Sequence, residues 1–140
     1  MKYLIIYDST FGNTKKIAKE IAKVLGVKAI SVKDFQKSDL AGIDFLIVGS
    51  PINAWRPLTT ITNLLKSFEK DELKGIKATA FDTRVKLFIH GDAKNKIAKG
   101  LEKAGAKITI EPKAFYVKGK EGPLLEEELE KAVEWTKLMK

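Results

Sequence analysis

Short continuous apolar runs alternate along this chain with stretches in which apolar residues recur every three to four positions. Tyr3, Leu4, Ile5, Ile6 and Tyr7 form the first run and predict a strand. Residues 15–25 follow as a helix, with Ile17, Ile21 and Leu25 on one face, lysines on the other, and Gly26 as its C-cap. Residues 29–32 predict a short second strand, 39–44 a turn, and 45–49 a third strand. A helix over 58–68 places Ile61, Leu64, Leu65 and Phe68 at i, i+3, i+4 and i+7. Residues 77–81 predict a fourth strand, and 93–104 a helix closed by Gly105. A fifth strand covers 107–110, with an extension through Ala114 to Val117 left open. The last helix spans 125–139, with Leu125, Leu129, Ala132, Val133 and Thr136 as its inner stripe and Trp135 at its rim. Glu126, Glu127 and Glu128 open it after Pro123, where acids suit the positive end of the helix dipole.

Strands that alternate with helices and carry unbroken apolar runs belong in a parallel sheet covered on both faces. The expected architecture is therefore an α/β three-layer sandwich, one domain over residues 1–140. Charge and composition narrow the chemistry. A hydrophobic content of 44% and a charged content of 31% fit a globular chain. No apolar run approaches a membrane span, and the N-terminal run meets Asp8 too soon for a signal peptide, so a cytoplasmic location is expected. With no cysteine and His90 as the sole histidine, disulfides, cysteine catalysis and thiolate or histidine metal sites are excluded. The net charge of +8 comes almost wholly from lysine, arginine occurring only at Arg56 and Arg84. These lysines lie opposite apolar stripes rather than among aromatics, which predicts solvated helix faces and no nucleic-acid partner.

The turn between the first strand and the first helix has the most informative composition. Ser9, Thr10, Phe11, Gly12, Asn13 and Thr14 set hydroxyl and amide donors around a glycine at a helix N-terminus. Unpaired backbone N–H groups and the helix dipole make that position attractive to an anion, and Gly12 allows close approach. An ordinary N-cap is the alternative, although a cap needs one side-chain oxygen rather than several. The dinucleotide and P-loop patterns are both absent. Asp8 stands alone at the strand end, without the paired acids of a phosphoacceptor site.

Open parallel sheets bind ligands beyond the carboxyl ends of their strands. Two further segments would meet the first turn there. One runs from Gly49 to Pro57 and carries Ser50, Pro51, Ile52, Asn53, Ala54 and Trp55 between stiffening prolines. The other runs from Asp82 to Asp92 and carries Thr83, Arg84, Lys86, Leu87, Phe88 and His90. A phosphate cradle beside a rigid loop bearing an aromatic plane points to a flat ring compound with a phosphate tail.

These segments resemble the flavodoxins, small FMN-binding electron carriers. The resemblance rests on Tyr7 to Thr14 followed by Ile17 and Ala18, on Asp44 to Pro51, and on Ala80 to Arg84. Ala104 to Lys107 and Phe115 to Gly119 are also similar, so it runs in order along the chain. It implies a five-stranded parallel sheet in the order 2-1-3-4-5. It implies that Ser9, Thr10, Phe11, Gly12, Asn13 and Thr14 surround the FMN phosphate. Ser50, Pro51, Ile52, Asn53, Ala54 and Trp55 would flank the isoalloxazine ring, with Trp55 stacking on it. Asp82, Thr83 and Arg84 would lie near the ribityl chain or ring edge. Phe88 is a candidate second cover for the ring, or else packs against the protein.

The implied function is electron transfer between redox partner proteins, with no catalytic side chain and no metal. The alternatives are an FMN-dependent oxidoreductase of the quinone or protoporphyrinogen type, and an interaction module of the same fold without flavin. Three departures from the family stand out. Phe11 replaces a common threonine, Arg56 and Pro57 follow Trp55 where electron carriers place a glycine, and the chain is basic where the carriers are acidic. Basic charge steers toward partners with acidic surfaces. Arg56, Arg84, Lys86 or His90 near the ring would favour the anionic reduced flavin and so raise its potential.

Overall fold

A computed structural model describes residues 1–87 and 90–140. Its elements run β1 (Tyr3–Tyr7), α1 (Asn13–Leu25), β2 (Ala29–Ser31), β3 (Phe45–Asn53), β4 (Arg56–Pro57), α2 (Thr59–Ser67), β5 (Lys77–Val85), α3 (Lys94–Lys103), β6 (Lys107–Ile108), β7 (Lys113–Val117) and α4 (Glu128–Lys137). The sheet order is β2-β1-β3-β5-β6, with β7 also on β5, and these pairings are all parallel. With β6 and β7 counted as one interrupted fifth strand, this is the expected 2-1-3-4-5 order. The short β4 adds an antiparallel hairpin to the end of β3. Among the described residues no helix is long and apolar enough to cross a membrane.

The open question about the fifth strand resolves into a break. Lys107 and Ile108 pair with Lys77 and Ala78, and pairing resumes with Lys113 opposite Phe81. Residues 109–112 thus stand opposite only residues 79 and 80. Pro112 cannot donate to a ladder. Side chains take over: Thr79 Oγ1 donates to Ile110 O at 2.7 Å, and Trp135 Nε1 donates to Glu111 O at 3.1 Å.

Each strand run is apolar throughout because both faces are covered. Leu4 and Ile6 point toward Ile61, Leu64, Ile97 and Leu101, whereas Ile5 and Tyr7 join Ile17, Ala18, Ile21 and Ala132 on the other side. Phe81, Phe115 and Trp135 meet edge to face, with centroids 5.8–6.2 Å apart. Trp135 is therefore a core residue rather than a rim residue. Leu129, expected inside, is 41% exposed. Glu127 adopts φ 72, the helix begins at Glu128, and its buried stripe runs through Glu128, Ala132, Trp135 and Thr136, about one position round from Leu129. The Glu128 carboxylate is buried, accepts from Tyr116 N at 2.7 Å and pairs with Lys131 at 2.9 Å, which ties α4 to β7.

Strands β3 and β5 outrun their apolar segments. Ser50 pairs with Asp82 and Pro51 with Thr83, and β7 accompanies β5 as far as Val85. Asp82, Thr83 and Arg84, expected in a loop, are buried strand residues.

Candidate functional site

A cavity of about 680 Å³ opens at the carboxyl ends of β1, β3, β5 and β7. Its first wall is the β1–α1 turn. Ser9 N donates to Asp8 Oδ1 at 2.8 Å, and Gly12 N donates to Ser9 Oγ at 3.0 Å. Gly12 has φ 93, in the left-handed region, and a Cβ there would meet nothing within 4 Å, so the turn faces open space. Gly12, the cap residue, offers α1 no side-chain acceptor. Besides Gly12 N, the Ser9 Oγ accepts from one first-turn amide, Lys15 N, at a long 3.4 Å. Among the described residues nothing accepts from the amides of Thr10, Phe11, Asn13 and Thr14, the last two being first-turn N–H groups without an intrahelical partner. The geometry therefore departs from the simple N-cap.

Two side chains of this turn do work other than the expected one. Asn13 is buried, and its Nδ2 donates to Glu121 O at 3.2 Å. Gly122 packs on it so closely that a Cβ would lie 2.7 Å from Asn13 Oδ1. Asn13 thus fastens the 118–123 loop against the turn. Thr14 Oγ1 lies 2.8 Å from Thr83 Oγ1, both residues at most 5% exposed and both lining the cavity. Two hydroxyls bonded to each other use only one of their two protons. The second has no acceptor among the described residues.

The second wall is the hairpin between β3 and β4. Asn53 pairs with Arg56, leaving Ala54 at φ 49 and Trp55 at φ 70 as a two-residue turn with both φ positive. Left-handed backbone costs a non-glycine residue about 1–2 kcal/mol, so the neighbours must hold this turn. Trp55 O accepts from Asp92 N at 3.1 Å and Lys96 Nζ at 3.4 Å. Gly91 lies so close to the Trp55 backbone that no Cβ fits between them. The Trp55 side chain itself is 59% exposed at the cavity mouth.

The third wall is the end of β5. Asp82 is fully buried and accepts from Arg84 Nε at 2.9 Å, Arg84 Nη2 at 2.5 Å, Lys94 N at 2.9 Å and Ala93 N at 3.3 Å. One carboxylate thus holds the arginine and the N-terminus of α3 together. Arg84 also reaches Asp92 Oδ1 at 3.3 Å, and its Nη1 lies 3.0 Å from His90 Nδ1. Burial disfavours the Arg84 charge, but hydrogen bonding and attraction from Asp82, then Asp92, outweigh it and raise the pKa above its ordinary value. Arg84 is consequently matched by two carboxylates and adds little uncompensated positive charge, contrary to the reading that it favours an anionic ring.

Of the residues singled out in sequence, Ser9, Thr10, Phe11, Asn13, Thr14, Pro51, Ile52, Asn53, Ala54, Trp55, Thr83 and Arg84 line this one cavity. Gly12 does not line it and shapes the turn through its positive φ. Ser50 and Asp82 do not line it. The buried Ser50 hydroxyl donates to Pro51 O at 2.8 Å and accepts from Leu58 N at 3.0 Å, which bridges the two ends of the hairpin. Phe88 lies outside the described residues. Val117 and Lys120 reach the cavity without having been singled out, because the Asn13–Glu121 bond that brings their loop in spans 108 positions. Val85, Leu87, His90 and Gly91 complete the lining, which contains no aspartate or glutamate among the described residues.

The cavity lies where open parallel α/β sheets place their ligand sites, beyond the carboxyl ends of the strands, with unpaired donors at one end and an aromatic at the other. The model of the flavodoxin domain matches residues 4–132, and the chain belongs to the flavodoxin family. A flavodoxin of Haemophilus influenzae is 44% identical over 50 residues, which are 34% of this chain and 29% of that protein. The match therefore spans less than a third of that relative's length. Oxidised flavodoxin 1 of Bacillus cereus superposes with a TM-score of 0.82 at 21% identity, over 98% of this chain and 95% of that one. The rubredoxin oxygen:oxidoreductase of Desulfovibrio gigas superposes with a TM-score of 0.78 at 22% identity, over 97% of this chain but 34% of that one. Both show the shared fold.

Proposed function

We propose that this chain binds FMN in the strand-end cavity and carries electrons between redox partner proteins. The observation that carries the reading is the set of donors left over at one end of the cavity. Four backbone amides and one buried threonine proton have no acceptor among the described residues. A phosphate and a polyol tail supply acceptors for such donors, and the acid-free lining raises no repulsion against them. A volume of about 680 Å³ lies within the range of small-molecule sites.

When bound, FMN supplies the one- and two-electron chemistry, and the protein supplies binding and electrostatics. The amides of Thr10, Phe11, Asn13 and Thr14 would hold the phosphate, with the hydroxyls of Ser9 and Thr10 beside it. The Thr14–Thr83 pair would meet the tail with its spare proton. Pro51, Ile52, Asn53 and Ala54 would border the ring, and Trp55 would offer it an aromatic face. Phe11, Trp55 and Leu87 leave an apolar rim around the mouth, 46%, 59% and 61% exposed. Such a rim suits protein contact, and the net charge of +8 favours partners with acidic surfaces.

The test is a visible absorption spectrum of the purified protein followed by titration with FMN. A flavin spectrum, or saturable uptake at micromolar FMN, is expected. Gly12→Asp should weaken uptake at least tenfold, because it sets a negative charge in the anion turn. Gly12→Asn, which imposes a similar backbone strain at φ 93 without the charge, should weaken it far less. No uptake by the wild type at micromolar FMN overturns the reading.

A further inference from the structure

We propose that Lys120 is the cation that recognises the phosphate of the bound flavin, so that the site selects FMN over unphosphorylated riboflavin. This rests on the FMN reading above and adds a residue from the far end of the chain. The β1–α1 turn offers only neutral donors. Among the described residues the cavity lining holds three groups that carry or can gain positive charge: Arg84, His90 and Lys120. Arg84 is matched by Asp82 and Asp92, and His90 sits against Arg84. Lys120 forms no ion pair with a carboxylate among the described residues. It is the charge in the lining that remains for a ligand.

Its position is built rather than incidental. Gly122 N donates to Gly119 O at 2.9 Å, which closes a four-residue turn with Lys120 at its second position. Lys118 N donates to Pro123 O at 2.8 Å, and Val117 bridges to Leu124, so the base of this loop is anchored on β7. Its tip is held by the Asn13 amide on Glu121 O and by Gly122 packed on Asn13. Asn13 is the first residue of α1, so the clasp sets Lys120 beside the turn whose amides lack acceptors. A lysine works here as a point charge toward a phosphate, at an exposed position sensitive to salt.

The experiment is a fluorescence titration of wild type, Lys120→Gln and Lys118→Gln with FMN and, separately, with riboflavin. Each is run at about 20 mM and about 300 mM salt. Lys118 loses the same charge from the same loop but does not line the cavity. Lys120→Gln should weaken FMN about tenfold at low salt, in line with a charge-assisted contact, and leave riboflavin within about twofold. The FMN loss should shrink at the higher salt, and Lys118→Gln should stay within about twofold of wild type. Equal losses in both variants, equal losses for both flavins, or an unchanged FMN affinity in Lys120→Gln would overturn the assignment while leaving FMN binding intact. Failure of the wild type to bind either flavin would overturn the functional reading itself, and this inference with it.

Discussion

Asp82 is the residue whose removal tests the architecture of the site most severely. It is fully buried, and its two oxygens accept from Arg84, Ala93 and Lys94. Asp82→Ala leaves the 8% exposed Arg84 with Asp92, at 3.3 Å, as its one carboxylate among the described residues, and leaves the first amides of α3 without an acceptor. Removing one partner of a buried ion pair costs about 3–5 kcal/mol. The lost cap adds about 1 kcal/mol, for a total of roughly 4–6 kcal/mol, a large part of the stability of an ordinary domain. The sharper expectation concerns the double variant Asp82→Leu/Arg84→Met. Once neither charge remains in the wall, the uncompensated ion disappears and most of the loss should be recovered, leaving about 1–2 kcal/mol. Urea denaturation of wild type, both single variants and the double variant measures this directly, provided the m-values agree. A loss below about 1 kcal/mol in Asp82→Ala, or a double variant as unstable as the sum of the singles, would refute the buried-pair reasoning.

Two further expectations follow from the same geometry. Gly91→Ala sets a methyl group into the Trp55 backbone and forces the strained hairpin aside. FMN affinity should fall about tenfold, on the scale of an overpacked contact, and an unchanged affinity would mean that the hairpin does not form the ring wall. At the opposite end of the molecule, Glu72 takes hydrogen bonds from Lys37 Nζ at 2.7 Å and Glu69 N at 2.8 Å. Chiefly through Lys37, these hold its pKa below the ordinary 4.5. A lowered folded pKa gives stability that is present above 4.5 and is lost as the pH falls through the folded value. Glu72→Gln should therefore melt below wild type at neutral pH, with the gap closing as the pH falls from 4.5 through the folded value, and a gap that persists undiminished in acid would exclude this origin.

The layers and the donor-rich turn are legible in the sequence because their signals are local, whereas the strand order is what the family resemblance implies. Apolar runs and helical stripes mark which segments are buried, and parallel connection through helices leaves few ways to assemble them. Ser9 to Thr14 declare their chemistry within six positions. The termini of β3 and β5 are another matter. Ser50, Asp82, Thr83 and Arg84 read as loop residues because polar residues seldom lie in buried strands. They do so here because each finds its partner inside: Leu58 N and Pro51 O for Ser50, Thr14 for Thr83, and each other for Asp82 and Arg84. Trp135 and Leu129 exchange places because the buried face of the last helix runs through Glu128, Ala132, Trp135 and Thr136, and the partners that select it, Tyr116 N for Glu128 and Glu111 O for Trp135, come from elsewhere in the chain.

What the amino-acid sequence determined by itself was thus a parallel α/β sheet with a donor-rich turn after its first strand, since short-range periodicity and turn composition suffice for both. What only the tertiary structure decided was which side chains face the ligand and which face the protein. Asn13 turned to Glu121, Arg84 to Asp82 and Ser50 to Leu58, while Lys120 came to the cavity from the far end of the chain. A buried polar group takes whichever partner the packed chain brings within about 3 Å, and for Asn13 that partner lies 108 residues away.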